Sequence, residues 1–189
     1  MSSAETQARM TAGEFLALPD TDNDRQLIRG RLMEKPMTYR NRMQAWVEAK
    51  IAYLLNRWLF EQSSPPGDVF AGEVGCLLRR DPDTIVGIDV AYFARGVLQR
   101  ASSSTTIIEG APLLAVEILS PSDKQEEIHA KVREYLDSGA RQVWLVDPYF
   151  RTVQVHAAGR SPEMFNEQQT LAGGDLLPGW QVAVAELFP

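Results

Sequence analysis

The chain has 189 residues, 44% hydrophobic and 23% charged, a size and composition suited to one globular domain with a sizeable core. Its net charge of −6 and pI near 5.0 argue against a protein that grips nucleic acid by bulk phosphate neutralisation. Its apolar runs are strand-sized rather than membrane-sized, its first residues lack an apolar signal core, its one cysteine allows no internal disulfide and no cysteine metal cluster, and its two histidines are too few for a histidine-based zinc site by themselves.

Residues 1–10 read as a disordered extension and 11–189 as a single domain, with a reducing, cytoplasmic setting as the default. TAGEFLALP places Thr11 and Glu14 at capping-box spacing, and Pro19 ends the short helix. QLIRGRLM, from Gln26 to Met33, reads as two strands about a turn at Gly30. Residues 41–62 carry the strongest helical period, with Met43, Trp46, Val47, Ile51, Leu54, Leu55, Trp58 and Leu59 recurring on one face. Lys50 and Arg57 share an edge of that stripe beside Trp46; they lay their stems on the core, with a phosphate contact as the alternative.

Residues 69–78 and 85–93 read as strands joined by the turn-rich RRDPDT, and 113–119 as a further strand. Residues 122–138 then form an amphipathic helix with Ser122 at the N-cap, Gln125 completing the box and Gly139 just past its end. Strands at 142–146, 152–156 and 180–184 finish the chain, and LAGGDLLPGW reads as a turn. The strand–helix–strand unit from Leu113 to Val146 predicts two parallel strands with a right-handed crossover, and the remaining pairings read as antiparallel. The fold class is α/β: a mixed sheet flanked by helices.

The chemistry lies in charges set among apolar residues. Glu117 interrupts LLAVEIL, Asp89 stands near the start of IDVAYF, and Lys131 falls on the helical stripe of Ile128, Val132, Tyr135 and Leu136. Burying such groups costs several kcal/mol unless they are paired or bind metal, a penalty on the order of that for isolated ions. One reading is a hydrolytic site in which Asp89, Glu117 and the backbone carbonyl of Ile118 hold a hard cation, Mg²⁺ or Mn²⁺, while Lys131 orients water or steadies transition-state charge. The other is a structural Glu117–Lys131 ion pair, with Asp89 capping a turn. His129 and Cys76 read as packing residues, His156 as lying on a strand's polar face, and the four tryptophans as core.

MTAGEFLALP, the Asp89–Val90–Ala91 strand and above all VEILSPSDKQEEIHAKVREYLDSGARQVWLVDP resemble the Uma-two-type family of restriction-endonuclease-like proteins in the PD-(D/E)xK nuclease superfamily. The resemblance covers nearly the whole chain from Met10. It implies a restriction-endonuclease-like fold, metal ligands at Asp89 and Glu117, DNA as substrate, and a homodimer as the simplest way to cut two strands. The superfamily's lysine normally stands two residues after the glutamate, where this chain has Leu119; the resemblance moves that role to Lys131. A glutamate often found in the family is Gln26 here, a possible accessory position, and the usual proline before the aspartate is Ile88. A histidine often found at the start of the long helix has no counterpart, with Arg40 or Asn41 in its region. The expected function is metal-dependent DNA hydrolysis, the alternative a weakly active or inactive nucleic-acid-binding or regulatory module of the same fold.

Overall fold

The structure, a computed structural model, describes residues 9–37, 41–99 and 106–189. The expected extension lies outside these but for its last two residues, and Met10 is tied down, its N–H donating to the Gly30 carbonyl at 2.9 Å. Arg40 is also outside them.

Thr11 caps α1 (Ala12–Leu16) through the predicted box with Glu14. The hairpin β1 (Asn23–Ile28) and β2 (Arg31–Pro36) turns at Arg29 and Gly30, both with positive φ, a conformation glycine adopts without steric cost. Next comes α2 (Arg42–Phe60). Asn41 caps it by accepting from the Met43 and Gln44 N–H groups. The chain continues through β3 (Gly67–Arg79), β4 (Thr84–Ala94), the one-turn α3 (Arg95–Leu98), β5 (Ile108–Glu109), β6 (Leu114–Ile118), α4 (Gln125–Asp137), β7 (Gln142–Asp147) and β8 (Thr152–Ala157). It ends with β9 (Glu163–Asn166), β10 (Thr170–Ala172), β11 (Gln181–Ala183) and a 3₁₀ turn, Val184–Leu187.

Among the described residues, the main sheet runs β2-β1-β4-β6-β7-β8-β9, with β3 on β4 and β5 on β3. β6 and β7 are parallel across the α4 crossover, as predicted. β3 and β5 are also parallel, against the expectation that all other pairs would be antiparallel. Trp180–Val184 does not form one closing strand: Gln181–Ala183 pairs with β10 in a separate two-stranded sheet, and the chain then coils. Leu171 and Ala172, read as turn, belong to β10.

The sheet separates two cores. On one face, Val47, Ile51, Leu54, Leu55 and Trp58 of α2 meet Val90, Tyr92, Val116, Ile118, Trp144 and the C-terminal Leu171, Leu177 and Trp180. On the other, Val132 and Tyr135 of α4 meet Ala91, Phe93, Ala115, Val143 and Leu145. Alternation along β4 and β6 assigns Val90, Tyr92 and Val116 to the first face, and Asp89, Ala91 and Glu117 to the second. Fully burying one such side chain contributes about 1.5–3 kcal/mol.

α4 begins later than its sequence suggests. Lys124 occupies the N-cap without a side-chain capping bond, and Ser122 is not a cap. The preceding residues make their own turn instead: Ser120 N–H donates to Asp123 Oδ2 at 2.8 Å, Asp123 N–H donates to the Ser120 carbonyl at 3.1 Å, and the Ser120 and Ser122 hydroxyls bond each other at 2.9 Å. Short polar side chains that satisfy the local backbone compete with helix, and here they delay it. Gly139, with φ 109°, follows the helix end as expected.

Candidate metal centre at the junction of β4 and β6

The site arises where one strand serves two partners. β3 pairs along one edge of β4 from Gly67 opposite Ala94 to Arg79 opposite Thr84, so β1 and β6 share the other edge. β1 pairs there at Ile85, and β6 pairs at Val90, Ala91 and Tyr92. Asp89 lies in the notch between them. The β4–β6 register, carried one step past Val90 opposite Val116, sets Asp89 across from Glu117. The Asp89 carboxylate takes over the ladder there: Oδ2 accepts the Ile118 N–H at 2.7 Å.

A bulge faces this point from the other edge. Ala71 pairs with Val90 and Val74 with Ile88, so Gly72 and Glu73 together oppose Asp89. Both have positive φ, 94° and 55°. Such a bulge sharpens local twist and re-aims the facing side chain. A glycine inside a strand pattern is its sequence signal, and Gly72 carried it.

Glu117 is the centre of the cluster. Lys131 Nζ donates to its Oε2 at 2.9 Å, and the Tyr135 hydroxyl donates to its Oε1. Lys131 and Tyr135 are one turn apart on α4, so both reach the same carboxylate from above. Burial drives the Glu117 carboxyl above the usual carboxylate range, against the pull of Lys131; the nearby charge of Asp89 pushes the same way. For Lys131, burial alone would lower the value, but attraction to Glu117 and the bond between them, with Asp89 and Asp24 adding, hold it above the ordinary lysine range. Burial first, then the Glu117 charge, push Tyr135 well above a normal phenol. The lysine is therefore an ammonium and the tyrosine a neutral hydroxyl at neutral pH: both are donors.

The predicted residues fall as follows. Asp89, Glu117 and Lys131 converge; the side chains of Glu117 and Lys131 are 13% and 23% exposed, so Lys131 does not point out to solvent. Ile118 follows Glu117 directly, and its carbonyl accepts from Gln44 Nε2 of α2 at 3.3 Å. Gln26 alternates with Ile28, which packs on the α4-side core, so it shares the site's sheet face. Three contributors escaped sequence reasoning. Tyr135 looked like one more apolar-stripe residue, Gln44 is a capping residue that also reaches Ile118, and Asp24 stands two residues before Gln26, close enough to act on Lys131.

Other candidates separate cleanly. His129 is exposed rather than packed, because it lies on the solvent side of α4. His156 is half-buried in β8; burial and then repulsion from His129 lower its pKa. Cys76 is fully buried, its thiol donates to the Gly110 carbonyl at 3.0 Å, and burial pushes it up to about 12, which excludes a reactive thiolate. Three tryptophans are core, but Trp46 is 39% exposed, an exception to the expected burial.

Among the described residues, no three His, Cys, Asp or Glu side chains gather as a metal-binding set. What the site offers is two carboxylates brought close together, with the Ile118 carbonyl one residue along the strand, all hard oxygens of the kind Mg²⁺ or Mn²⁺ prefers. Each carboxylate oxygen offers two acceptor positions, so the donors from Lys131 and Tyr135 leave Glu117 room for a further ligand. The residues present fit a hard divalent cation.

No curated protein matches the chain. A solved structure, that of a putative nuclease belonging to DUF820 from Anabaena variabilis, is similar over 95% of this chain and 97% of that one, with a TM-score of 0.79 and 24% identity. At that identity the likeness speaks for the fold, an α/β arrangement of a mixed sheet flanked by helices. Residues 12–185 match the family Uma2, described as "Putative restriction endonuclease", and with nearly the whole described domain matched, the chain belongs to that family.

Proposed function

We propose that this chain is a metal-dependent nuclease that hydrolyses DNA phosphodiester bonds. Asp89, Glu117 and the Ile118 carbonyl would hold Mg²⁺ or Mn²⁺, and Lys131 would serve the attacking water. The observation that carries this reading is the convergence of Asp89 and Glu117 on one ammonium at a strand junction. Family membership supports the reaction class. When bound, the cation supplies charge neutralisation at the phosphate and acidifies a bound water.

The chain's own groups then have defined tasks. Water adds to phosphorus and releases one proton to bulk solvent, the bond to the leaving oxygen breaks, and that oxygen takes up a proton from solvent. Lys131 is charged, so it donates to the water or to the phosphoryl oxygens and does not act as the base. Tyr135 holds Glu117 in one orientation, and Gln44 holds the Ile118 carbonyl. Gln26, on the same sheet face, can position water by hydrogen bonding but supplies no charge. We take residues 11–189 as one domain in a reducing cytoplasmic setting, with two copies cutting the two strands of a duplex.

The test is cleavage of plasmid and of single-stranded circular DNA in Mg²⁺, Mn²⁺ and EDTA, with Glu117→Gln as control. Metal-dependent cutting that the variant lacks supports the assignment; cutting that persists in the variant overturns it. A second reading, a binding or regulatory module with a weakened site, draws on Gln26 in place of a glutamate and on the donors already engaged at Glu117. It predicts DNA binding without turnover in any metal.

A further inference from the structure

The outer face of α2 carries a stripe that the core does not use. Arg42, Trp46, Lys50, Tyr53, Arg57 and Phe60 recur at steps of three and four residues, so they form one line along the helix. Trp46, Tyr53 and Phe60 are 39%, 56% and 83% exposed. Lys50 Nζ lies 5.9 Å from the Trp46 ring centre, and the Arg57 guanidinium 5.8 Å from that of Tyr53, so cations and rings interleave. The only acidic residue of α2, Glu48, is buried on another face. A protein of net charge −6 thus presents one helical face with three cations, three aromatic rings and no acid.

We propose that this face binds a single strand of nucleic acid, which would make single-stranded or locally opened DNA the substrate form; this rests on the nuclease reading above. Charge complementarity favours a polyanion. The rings favour one whose bases are unpaired, since aromatic side chains stack on bases that a duplex keeps stacked among themselves. The rings repeat every seven residues, a rise of roughly 10.5 Å, which matches about three stacked nucleotides of one strand. The stripe also leads to the right place. Its first members, Arg42 and Trp46, stand at the N-terminal turn of α2, whose opposite, sheet-facing side carries Gln44 with its amide on the Ile118 carbonyl. A strand lying along α2 would leave the helix at the end nearest Ile118, from which it must round the end of β6 to reach the face with Asp89 and Glu117.

The experiment measures binding of a fluorescein-labelled 20-nucleotide strand and the matching duplex to the full chain in EDTA, by anisotropy across a salt series. The wild type is compared with Trp46→Ala, Tyr53→Ala, Phe60→Ala and a triple Arg42→Gln/Lys50→Gln/Arg57→Gln variant. Melting temperatures verify folding, and sedimentation gives the oligomeric state. We expect tighter binding of the single strand than of the duplex. Each aromatic change should weaken single-strand binding by about five- to 150-fold without altering the salt slope. The triple variant should lower that slope by up to about two units. Single-strand affinity unchanged in all variants, or duplex binding as tight as single-strand binding, overturns the proposal. So does a wild-type dimer that the aromatic changes dissociate, or a preference for anionic vesicles over DNA, because the face would then have another occupant. Hydrolysis of bis(4-nitrophenyl) phosphate in Mn²⁺ separates the two readings: it should be the same in the stripe variants as in the wild type. If no diester is cut in any metal while the stripe still binds the strand, the nuclease reading fails and the strand-binding face stands.

Discussion

α4 borders two centres of buried charge, and they are built in opposite senses. Toward its middle the helix supplies the cation: Lys131 bonds Glu117 of β6, with Asp89 of β4 close by. Toward its C-terminus, Glu134 is the buried acid. Arg29 Nε meets it at 2.5 Å and Arg79 Nη1 lies 4.0 Å away, while Asp137 at 3.3 Å shares Arg29. There two guanidiniums answer two carboxylates. The second centre ties the β1–β2 turn to α4 and β3, with cations from the turn and the strand meeting acids from the helix. The first sets two carboxylates across from each other on neighbouring strands, at a strand junction. Burial of charge is common to both, so burial alone does not mark a functional site. Two carboxylates brought together on neighbouring strands do.

The largest effect expected is on chemistry. Asp89→Asn and Glu117→Gln should each lower metal-dependent DNA cleavage by more than about 100-fold, the upper end of what changes behind metal ligands cost. Glu134→Gln should leave it nearly intact, as initial rates in Mg²⁺ would show. Equal losses at both centres would erase the distinction between them.

Stability comes next. Lys131→Met leaves two facing carboxylates without their ammonium and should destabilise the metal-free protein by about 1–3 kcal/mol at neutral pH, below the cost of breaking a fully enclosed pair. Saturating Mg²⁺ should restore much of this. Arg29→Met should cost a similar or smaller amount, about 1–2 kcal/mol, because Arg29 is half exposed, and Mg²⁺ should restore none of it. Urea melts with EDTA and with Mg²⁺ give both differences, and Mg²⁺ rescue of the Arg29 variant would contradict the assignment of the cation to the first centre.

The pH dependence has a definite sign. Folded Glu117 holds its proton more tightly than it does in the unfolded chain. Its contribution to metal-free stability is therefore highest at low pH and falls as pH rises from the unfolded carboxylate value through the raised one. Mg²⁺ requires the ionised form, so stabilisation by metal should grow over the same window. Glu117→Gln should flatten both trends. Its effect on metal-free stability at neutral pH should stay within about 1 kcal/mol, because Asp89 and Asp24 still face Lys131. The smallest effect belongs to Tyr135→Phe. Losing one donor to Glu117 should cost about 0.5–1.5 kcal/mol and raise the Glu117 pKa further. The onset of metal binding should move to higher pH in a Mn²⁺ titration; an unmoved onset would reduce Tyr135 to packing.

The readable parts of the sequence were those governed by local rules. The α1 capping box, the α2 period, Gly139 behind α4 and the parallel crossover all follow from spacing along the chain. Asp89, Glu117 and Lys131 stood out because each interrupts an apolar pattern. What escaped depended on pairing between distant segments. No local signal says that β5 joins β3 in parallel, or that Gln181–Ala183 leaves the main sheet for β10. Tyr135 was hidden for a related reason: on the apolar stripe it looks like a core residue, and its hydroxyl gains a role only because Glu117 is brought beneath it. Ser122 failed as a cap because the SPSD segment closed its own turn first.

The two cores also differ in what light can report about them. Trp58, Trp144 and Trp180 all lie on the α2 side of the sheet, with the Trp144 and Trp180 rings 5.2 Å apart, and Trp46 rides on the outer face of α2. The α4 side, with the acidic centre, has tyrosine but no tryptophan. Emission excited at the red edge of the indole band therefore follows the α2 half of the molecule and whatever settles on its surface. Tyrosine is shared between the halves, with Tyr92 and Tyr53 on the α2 side and Tyr135 on the other, so a phenol difference spectrum between the wild type and Tyr135→Phe is the optical channel into the α4 half.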